Sequence, residues 1–295
     1  GKVDVNLFLS DFADAMQRQF DAQGQLNFSE LFSTDPSLPV KIEVGSGTGE
    51  WAAAQAKAAE GTSNWCTVEL RTDRVASTFS RAVLSGATNL AVVGSDAHGF
   101  LGRHVPPGSV AGVFVNYPEP PQQRGGAGAE AGDGASQAQH MLNGTFFREV
   151  LTALRPGGLF TIVTDNQWYA RLLLHTAVEV IDGDGAVGLA GDSREVAAPG
   201  ATTAFRSFTV DTRSGGGSAK VYEVAGSVTL YEGDPGTQCG HDAAASSYFD
   251  RLWQKDEKYA RYFLCLSKGT RRAGSKISAK GGGGGGMKRV FNDDG

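Results

Sequence analysis

Cysteine is scarce in this chain of 295 residues: there are three, Cys66, Cys239 and Cys265, far apart and never in a Cys-x-x-Cys pair. That excludes a disulfide framework and a thiolate metal site, and leaves buried or incidental thiols as the expected reading. Five histidines without ligand spacing complete the case for expecting no metal. No stretch approaches the roughly 20 apolar residues of a membrane span, and no charged-then-apolar secretory segment is present. The chain is therefore expected to work away from the membrane, inside a cell. It opens on Gly1 rather than Met, as a fragment or a processed form would.

Basic charge is also missing from most of the length. Of 27 Lys and Arg, nine fall between Lys258 and Arg289, a stretch without Asp or Glu; 18 remain to face 30 of the 32 acids. The formal charge of −5 argues weakly against nucleic acid as a partner. The concentration of cations at one end argues the other way, as a footprint for a polyanion would. A solvated tail is the plainer alternative.

What is present is an alternation of strands and helices. Residues 6–21 space Phe8, Phe12, Met16 and Phe20 four apart, one apolar helical stripe. Strands are expected at 40–44, 64–70, 89–96, 109–121 and 159–165, with helices at 50–60, 72–85, 143–158 and 167–181 between them. This order predicts an α/β fold, a mostly parallel sheet covered by helices on both faces, closed by a final strand at 259–267. Low-complexity Gly/Ala/Ser stretches mark insertions at about 122–140 and 182–245, the second around the strand-like "KVYEVAGSVTLYE". The domain reading is an N-terminal helical extension at 1–37, a main domain at 38–267, and a basic, Gly-rich tail at 268–295 expected to be disordered.

The first strand runs into "VKIEVGSGTGEW". Glycine after a strand lets the backbone turn sharply and approach a ligand, and the next helix offers unpaired N–H groups. A dinucleotide fingerprint would need glycine at position 50, where this chain has Glu50. The pattern is instead acid-x-Gly-x-Gly-x-Gly, from Glu43 through Gly45 and Gly47 to Gly49. It resembles the first motif of class I S-adenosylmethionine-dependent methyltransferases, which implies a Rossmann-like sheet with an antiparallel last strand. Two more acids stand in register with that resemblance. Glu69 ends the second strand, where a carboxylate accepts ribose hydroxyls, and Asp96 follows the third, on the adenine side. Ligands of open α/β sheets sit at these carboxyl ends.

Further along, "VFVNYPEPP", "GTFFREVLTALRPGGLFTIVTDNQWYA" and "SSYFDRLW" occur in that order. Together they are similar to the tRNA (guanine-N7)-methyltransferase family, over about residues 38–267. That resemblance implies methyl transfer from S-adenosylmethionine to N7 of a guanine in tRNA. It implies a cofactor pocket of Glu43, Gly45, Gly47, Gly49, Glu69, Asp96 and Glu119, with Glu119 and Asp165 in catalytic positions. It places Gln123, Asp165, Ser247 and Asp250 on the substrate side. Some members act with a β-propeller partner, and the sequence does not select for one.

Asp165 and Ser247 are equally readable as helix N-caps. Tyr117 and Trp168 are readable as base-stacking residues or as packing. The chain departs from the family after its prolines: Pro121 replaces an aromatic residue, Gln123 falls where a lysine is usual, and only Arg124 remains of a basic run. Fewer phosphate contacts weaken RNA binding. Two alternatives therefore stand beside the first reading: a methyltransferase of the same fold with another substrate, and a non-catalytic RNA-binding or scaffold protein.

Overall fold

The computed structural model describes residues 17–32, 35–121, 140–184, 204–211, 219–243 and 260–269. Of the helix expected over 6–21, residues 6–16 lie outside them, and Phe20 at its described end forms a bridge with Leu26 instead of helix. The helix expected at 247–257, both low-complexity centres and the tail beyond 269 also lie outside them. So do Gln123, Ser247 and Asp250.

Among the described residues, nine strands form one sheet. They are β1 (Val40–Val44), β2 (Asn64–Glu69), β3 (Leu90–Gly94), β4 (Val110–Asn116), β5 (Leu154–Thr164), β6 (Phe205–Ser207), β7 (Lys220–Ala225), β8 (Val228–Glu232) and β9 (Tyr262–Lys268). The order is β3-β2-β1-β4-β5-β9-β8-β7, with β6 also on β9. The first five strands are parallel to one another. β9 is antiparallel to β5, as expected of the last strand, and β6, β7 and β8 add further antiparallel pairs. β8 and β6 share the outer edge of β9: β8 takes its start, Tyr262 to Leu264, and β6 its end, Leu266 to Lys268. "KVYEVAGSVTLYE" is thus a hairpin that extends the main sheet.

The helices are α1 (Glu50–Ala58), α2 (Thr72–Ser85), α3 (Gly144–Ala153) and α4 (Gln167–Asp184). Right-handed crossovers put α1 and α2 together on one face, and the reversal of direction into β4 puts the next elements on the other. α1 contacts α2, while α3 contacts α4 and the turn Phe100–His104. β2 is buried along its whole length and β1 at four of five positions, as strands covered on both faces are. The large core between the sheet and α3/α4 gathers Ile42, Val113, Phe146, Phe147, Phe160, Leu173 and Leu264.

On the α1 face the cover is different. There Trp51 meets Trp65 edge to face and Phe114 packs at a tilt against both, and the return from β8 crosses the sheet beside them. Thr161 Oγ1 donates to the Cys239 carbonyl at 2.8 Å. Gly240, at φ +81°, lies so close to the Phe114 ring that a Cβ would stand 2.7 Å from it. Buried Gln55 of α1 accepts from the Asp242 and Ala243 N–H groups at 2.9 and 3.0 Å. Part of the region read as an insertion is therefore structural cover for this face.

β5 begins five residues earlier than the sequence suggests. Leu154 pairs with Val110, and pairing resumes at Leu159 opposite Gly112, so Arg155–Gly158 bulge out between them. Among the described residues no helix is long and apolar enough to cross a membrane.

Candidate active site

The chain reverses its strand order between β1 and β4, and the carboxyl ends of these strands form the crevice where α/β sheets hold ligands. The glycine loop sits there. Gly45 continues the ladder, its N–H donating to the Val68 carbonyl at 2.8 Å. Gly45, Gly47 and Gly49 have φ of +71°, +56° and +75°, in the region that favours glycine.

Their surroundings separate them. A Cβ on Gly49 would come within 2.5–2.8 Å of the Thr78 side chain, so this glycine is required by the packing of α1 on α2. A Cβ on Gly45 or Gly47 would meet nothing within 4 Å. Those two line open space, as a loop that receives a ligand against its backbone must. Between them Ser46 Oγ is buried without a hydrogen-bond partner among the described residues.

Two buried acids fix the loop from either side. Glu69, 5% exposed, accepts at Oε2 from the Gly47 N–H (2.9 Å) and at Oε1 from the Arg71 N–H (3.0 Å). An ionised carboxylate has about four lone-pair sites, so capacity remains for two hydroxyl donors. Glu43 Oε1 accepts from Asn116 Nδ2 at 3.1 Å, tying the end of β1 to the end of β4 across the switch point. From α2, Thr78 Oγ1 donates to the Gly47 carbonyl and Arg81 Nε to the Thr48 carbonyl. The loop is held in place before anything binds.

Asp96 follows β3, exposed, with Oδ1 accepting the Gly99 N–H at 2.8 Å as the cap of a short turn. Its neighbour Ser95 donates its N–H to the Glu69 carbonyl at 3.1 Å, so the Asp96 segment borders Glu69. Behind it, His98 Nδ1 lies 2.8 Å from Glu149 Oε2. Burial raises the Glu149 carboxyl above its usual range, and His98 pulls it partly back.

β4 ends differently. Tyr117, at φ +51°, has the only left-handed backbone among the described residues other than glycine. That conformation costs about 1–2 kcal/mol. The Tyr117 ring is partly buried against the Val163, Tyr231 and Phe263 cluster, which works against that cost, since removing apolar area from water is favourable. After this turn Glu119 emerges exposed.

At the end of β5, Asp165 is half-buried, and it does not cap α4. Asn166 does, accepting the Tyr169 N–H at 2.9 Å. The Asp165 carboxylate makes no hydrogen bond or ion pair among the described residues. Trp168, partly buried against the core, presents an indole N–H that is buried without a partner among them.

The structure thus bonds the Gly45–Gly49 loop to Glu69, with Glu43 tied to Asn116 at the start of the loop and Asp96 at its border. It sets Glu119 and Asp165 at the ends of the neighbouring strands β4 and β5. The sequence reading passed over Asn116, Thr78 and Arg81; Asn116 had a signal, being the polar end of an otherwise apolar strand. All three thiols are buried; burial alone pushes Cys66 up to about 12, so no cysteine is set up as a nucleophile.

Residues 37–184, half of the chain, match the family model described as "Putative methyltransferase". Among curated proteins, the tRNA (guanine-N(7)-)-methyltransferase of Chlamydia felis is 30% identical over 144 residues, 48% of this chain and 58% of that protein. The protein of the same name from Streptomyces avermitilis is 30% identical over 169 residues, 55% of this chain and 53% of its own length. The chain spans little more than half the length of these relatives. Among solved structures, NSun6 from Pyrococcus horikoshii matches 78% of this chain and 47% of its own at 11% identity and a TM-score of 0.45.

Proposed function

The chain belongs to this methyltransferase family, and from that premise we propose that it is a tRNA (guanine-N7)-methyltransferase using S-adenosylmethionine. The observation that carries the reading is a contrast between two carboxylates at one edge of the sheet. Glu69 is immobilised by two backbone N–H donors beside an open glycine cradle. Asp165, relieved of capping by Asn166, keeps its carboxylate available.

The residues fit the cofactor. Glu69 retains acceptor capacity for both ribose hydroxyls, the open backbone at Gly45 and Gly47 suits the methionine end, and Asp96 borders Glu69 where the adenine would lie. Glu43, held by Asn116, places a carboxyl group at the end of β1 beside the cradle. Bound there, S-adenosylmethionine supplies a methyl group already activated on a sulfonium.

Guanine N7 has an available lone pair, so the protein needs no strong base. Its task is alignment for in-line transfer, for which orientation supplies roughly 7–11 kcal/mol in favourable cases. Guanine offers N1–H and its N2 amino group as donors on one edge; Asp165 accepts both and turns N7 towards the methyl. Glu119, exposed beyond the Tyr117 turn, stands at the rim. Gln123, Ser247 and Asp250 complete the substrate side in this reading, and tRNA is the macromolecular partner. A base inside folded RNA must be unstacked to reach such a site.

A second reading, another substrate on the same fold, is favoured by Pro121 and Gln123 standing where the family carries an aromatic residue and a lysine. The two separate in one assay. Incubation with methyl-labelled cofactor and unmodified total tRNA, followed by nucleoside analysis, is expected to yield label in 7-methylguanosine. Cofactor binding without label in tRNA would sink the first reading in favour of the second; absence of both would leave a scaffold.

A further inference from the structure

The two edges of the sheet are finished differently. On the β7 edge, where Val221 and Val224 are exposed, Lys220 and Glu223 interrupt the apolar residues and pair with Glu232 and Arg171. Charge of this kind blunts an edge strand. The β3 edge carries none. Among the described residues β3 pairs with β2 alone, and Leu90, Ala91, Val92 and Val93 are each partly exposed.

α2 continues this surface. Its Thr78 and Ala82 are buried, and Arg81 turns towards the glycine loop. On the side away from that loop, Thr72, Ala76, Phe79 and Val83 form a row spaced four, three and four residues apart, the a/d seam by which one helix packs on another. All four are exposed, Phe79 and Val83 at 60% and 61%. Leu84, exposed as well, lies outside the row on the solvent side.

The row is self-complementary. A second α2 running antiparallel sets Ala76 against Phe79 and Thr72 against Val83, small against large as packed helices require. Strand and helix also agree on one axis. The place of a Cβ on Gly94 is 3.5 Å from the Val75 side chain. Two residues back along β3, about 6.6 Å, correspond to about four residues along α2, so Val92 is level with Phe79. A two-fold axis at Val92, normal to the sheet, pairs β3 antiparallel with its copy and keeps both α2 helices on one face. Since α2 lies over β2 and β3, a strand spacing of about 4.8 Å sets the two helices about 10 Å apart, an ordinary packing distance. Neither the row nor β3 carries charge, so two copies of formal charge −5 meet without like charges face to face.

We propose that the β3–α2 edge is the interface of a homodimer, with one sheet continuous across two β3 strands and an antiparallel α2 pair packed on it. About 15 residues of each copy take part, fewer than the roughly 20–30 of a standard interface, so a micromolar Kd is expected. The arrangement does not depend on what the crevice methylates. It braces α2, the helix whose Thr78 and Arg81 hold the glycine loop.

The full chain is taken through sedimentation equilibrium from about 1 to 100 μM, and should pass from monomer to dimer within that range. Phe79→Glu would place two unpaired carboxylates in the seam and should raise Kd about 100-fold or more. Leu84→Glu, outside the seam, should leave it unchanged. Both positions are exposed, so neither change removes core packing. The strand register is read separately. Val92→Cys meets its own copy at the axis, within the reach of about 4.4–6.8 Å between Cα atoms that a disulfide spans. Mild oxidation should link it as a dimer, and should not link Leu84→Cys. A monomer at every concentration would overturn the proposal and leave the row to another protein or to the Phe8–Met16 segment. So would a dimer indifferent to Phe79→Glu, or one that Val92→Cys does not cross-link.

Discussion

On the β1–β2 side of the crevice Glu43 and Glu69 are buried, Glu69 accepting from two backbone N–H groups and Glu43 from the Asn116 amide. On the β4–β5 side Glu119 is exposed and Asp165 makes no bond among the described residues. Burying a carboxylate is costly unless donors replace its water. Glu69 has a donor on each oxygen and is preorganised before a ligand arrives, whereas Glu43 keeps Oε2 buried without a hydrogen-bond partner among the described residues. A half-exposed carboxylate stays solvated and waits for its donors. The difference suits a small cofactor that returns in every cycle and a large RNA whose own groups complete the site on arrival.

Breaking the preorganised side should have the largest effect. Glu69→Ala removes an acceptor for two hydroxyls, at roughly 1.5–3 kcal/mol for each hydrogen bond to a charged group; calorimetry should find cofactor affinity reduced about 100-fold or more. The glycines sharpen the point, because their roles differ. Gly49→Ala collides with Thr78 at a left-handed φ, and thermal unfolding should show about 2–3 kcal/mol lost. Gly47→Ala has room and should lose only about 1 kcal/mol of stability, yet weaken cofactor binding by filling the cradle.

On the other side, Asp165→Asn presents an NH2 group to the donors of guanine. Steady-state transfer should fall about 30-fold in kcat/KM, on the order of 2 kcal/mol, with cofactor affinity unchanged. The smallest effect concerns His140, which precedes α3 and shares a hydrogen bond with the Tyr169 hydroxyl. Burial lowers its pKa, so the folded protein resists a proton that the unfolded chain accepts. The stability it contributes is full above pH 6.5 and declines as pH falls towards the lowered value. His140→Gln should therefore shrink the loss of Tm between pH 7 and pH 5.

The same two sides differ in how much of them could be read beforehand. Strand-loop-helix signals at 40–58 are local, and the Glu43–Gly49 spacing places the loop without knowledge of the sheet. The bonds that hold it, from Asn116, Thr78 and Arg81, come from residues 31 to 73 positions away, which spacing cannot reveal. In "TDNQW" both Asp165 and Asn166 are good caps, and only backbone geometry decides that Asn166 takes the role. The hairpin β7–β8 was legible as strands, but its union with β9 is a long-range pairing. The bulge at Arg155–Gly158 hid the true start of β5 behind Pro-Gly-Gly.

One crossed measurement addresses the independence of the two sides. Cofactor affinity and methyl transfer to tRNA are determined on the same preparations of Glu69→Ala and Asp165→Asn. Glu69→Ala should lose both, and Asp165→Asn should bind the cofactor normally and fail in transfer. Normal cofactor binding by Glu69→Ala, or equal loss of cofactor affinity in Asp165→Asn, would contradict the division of the site described above.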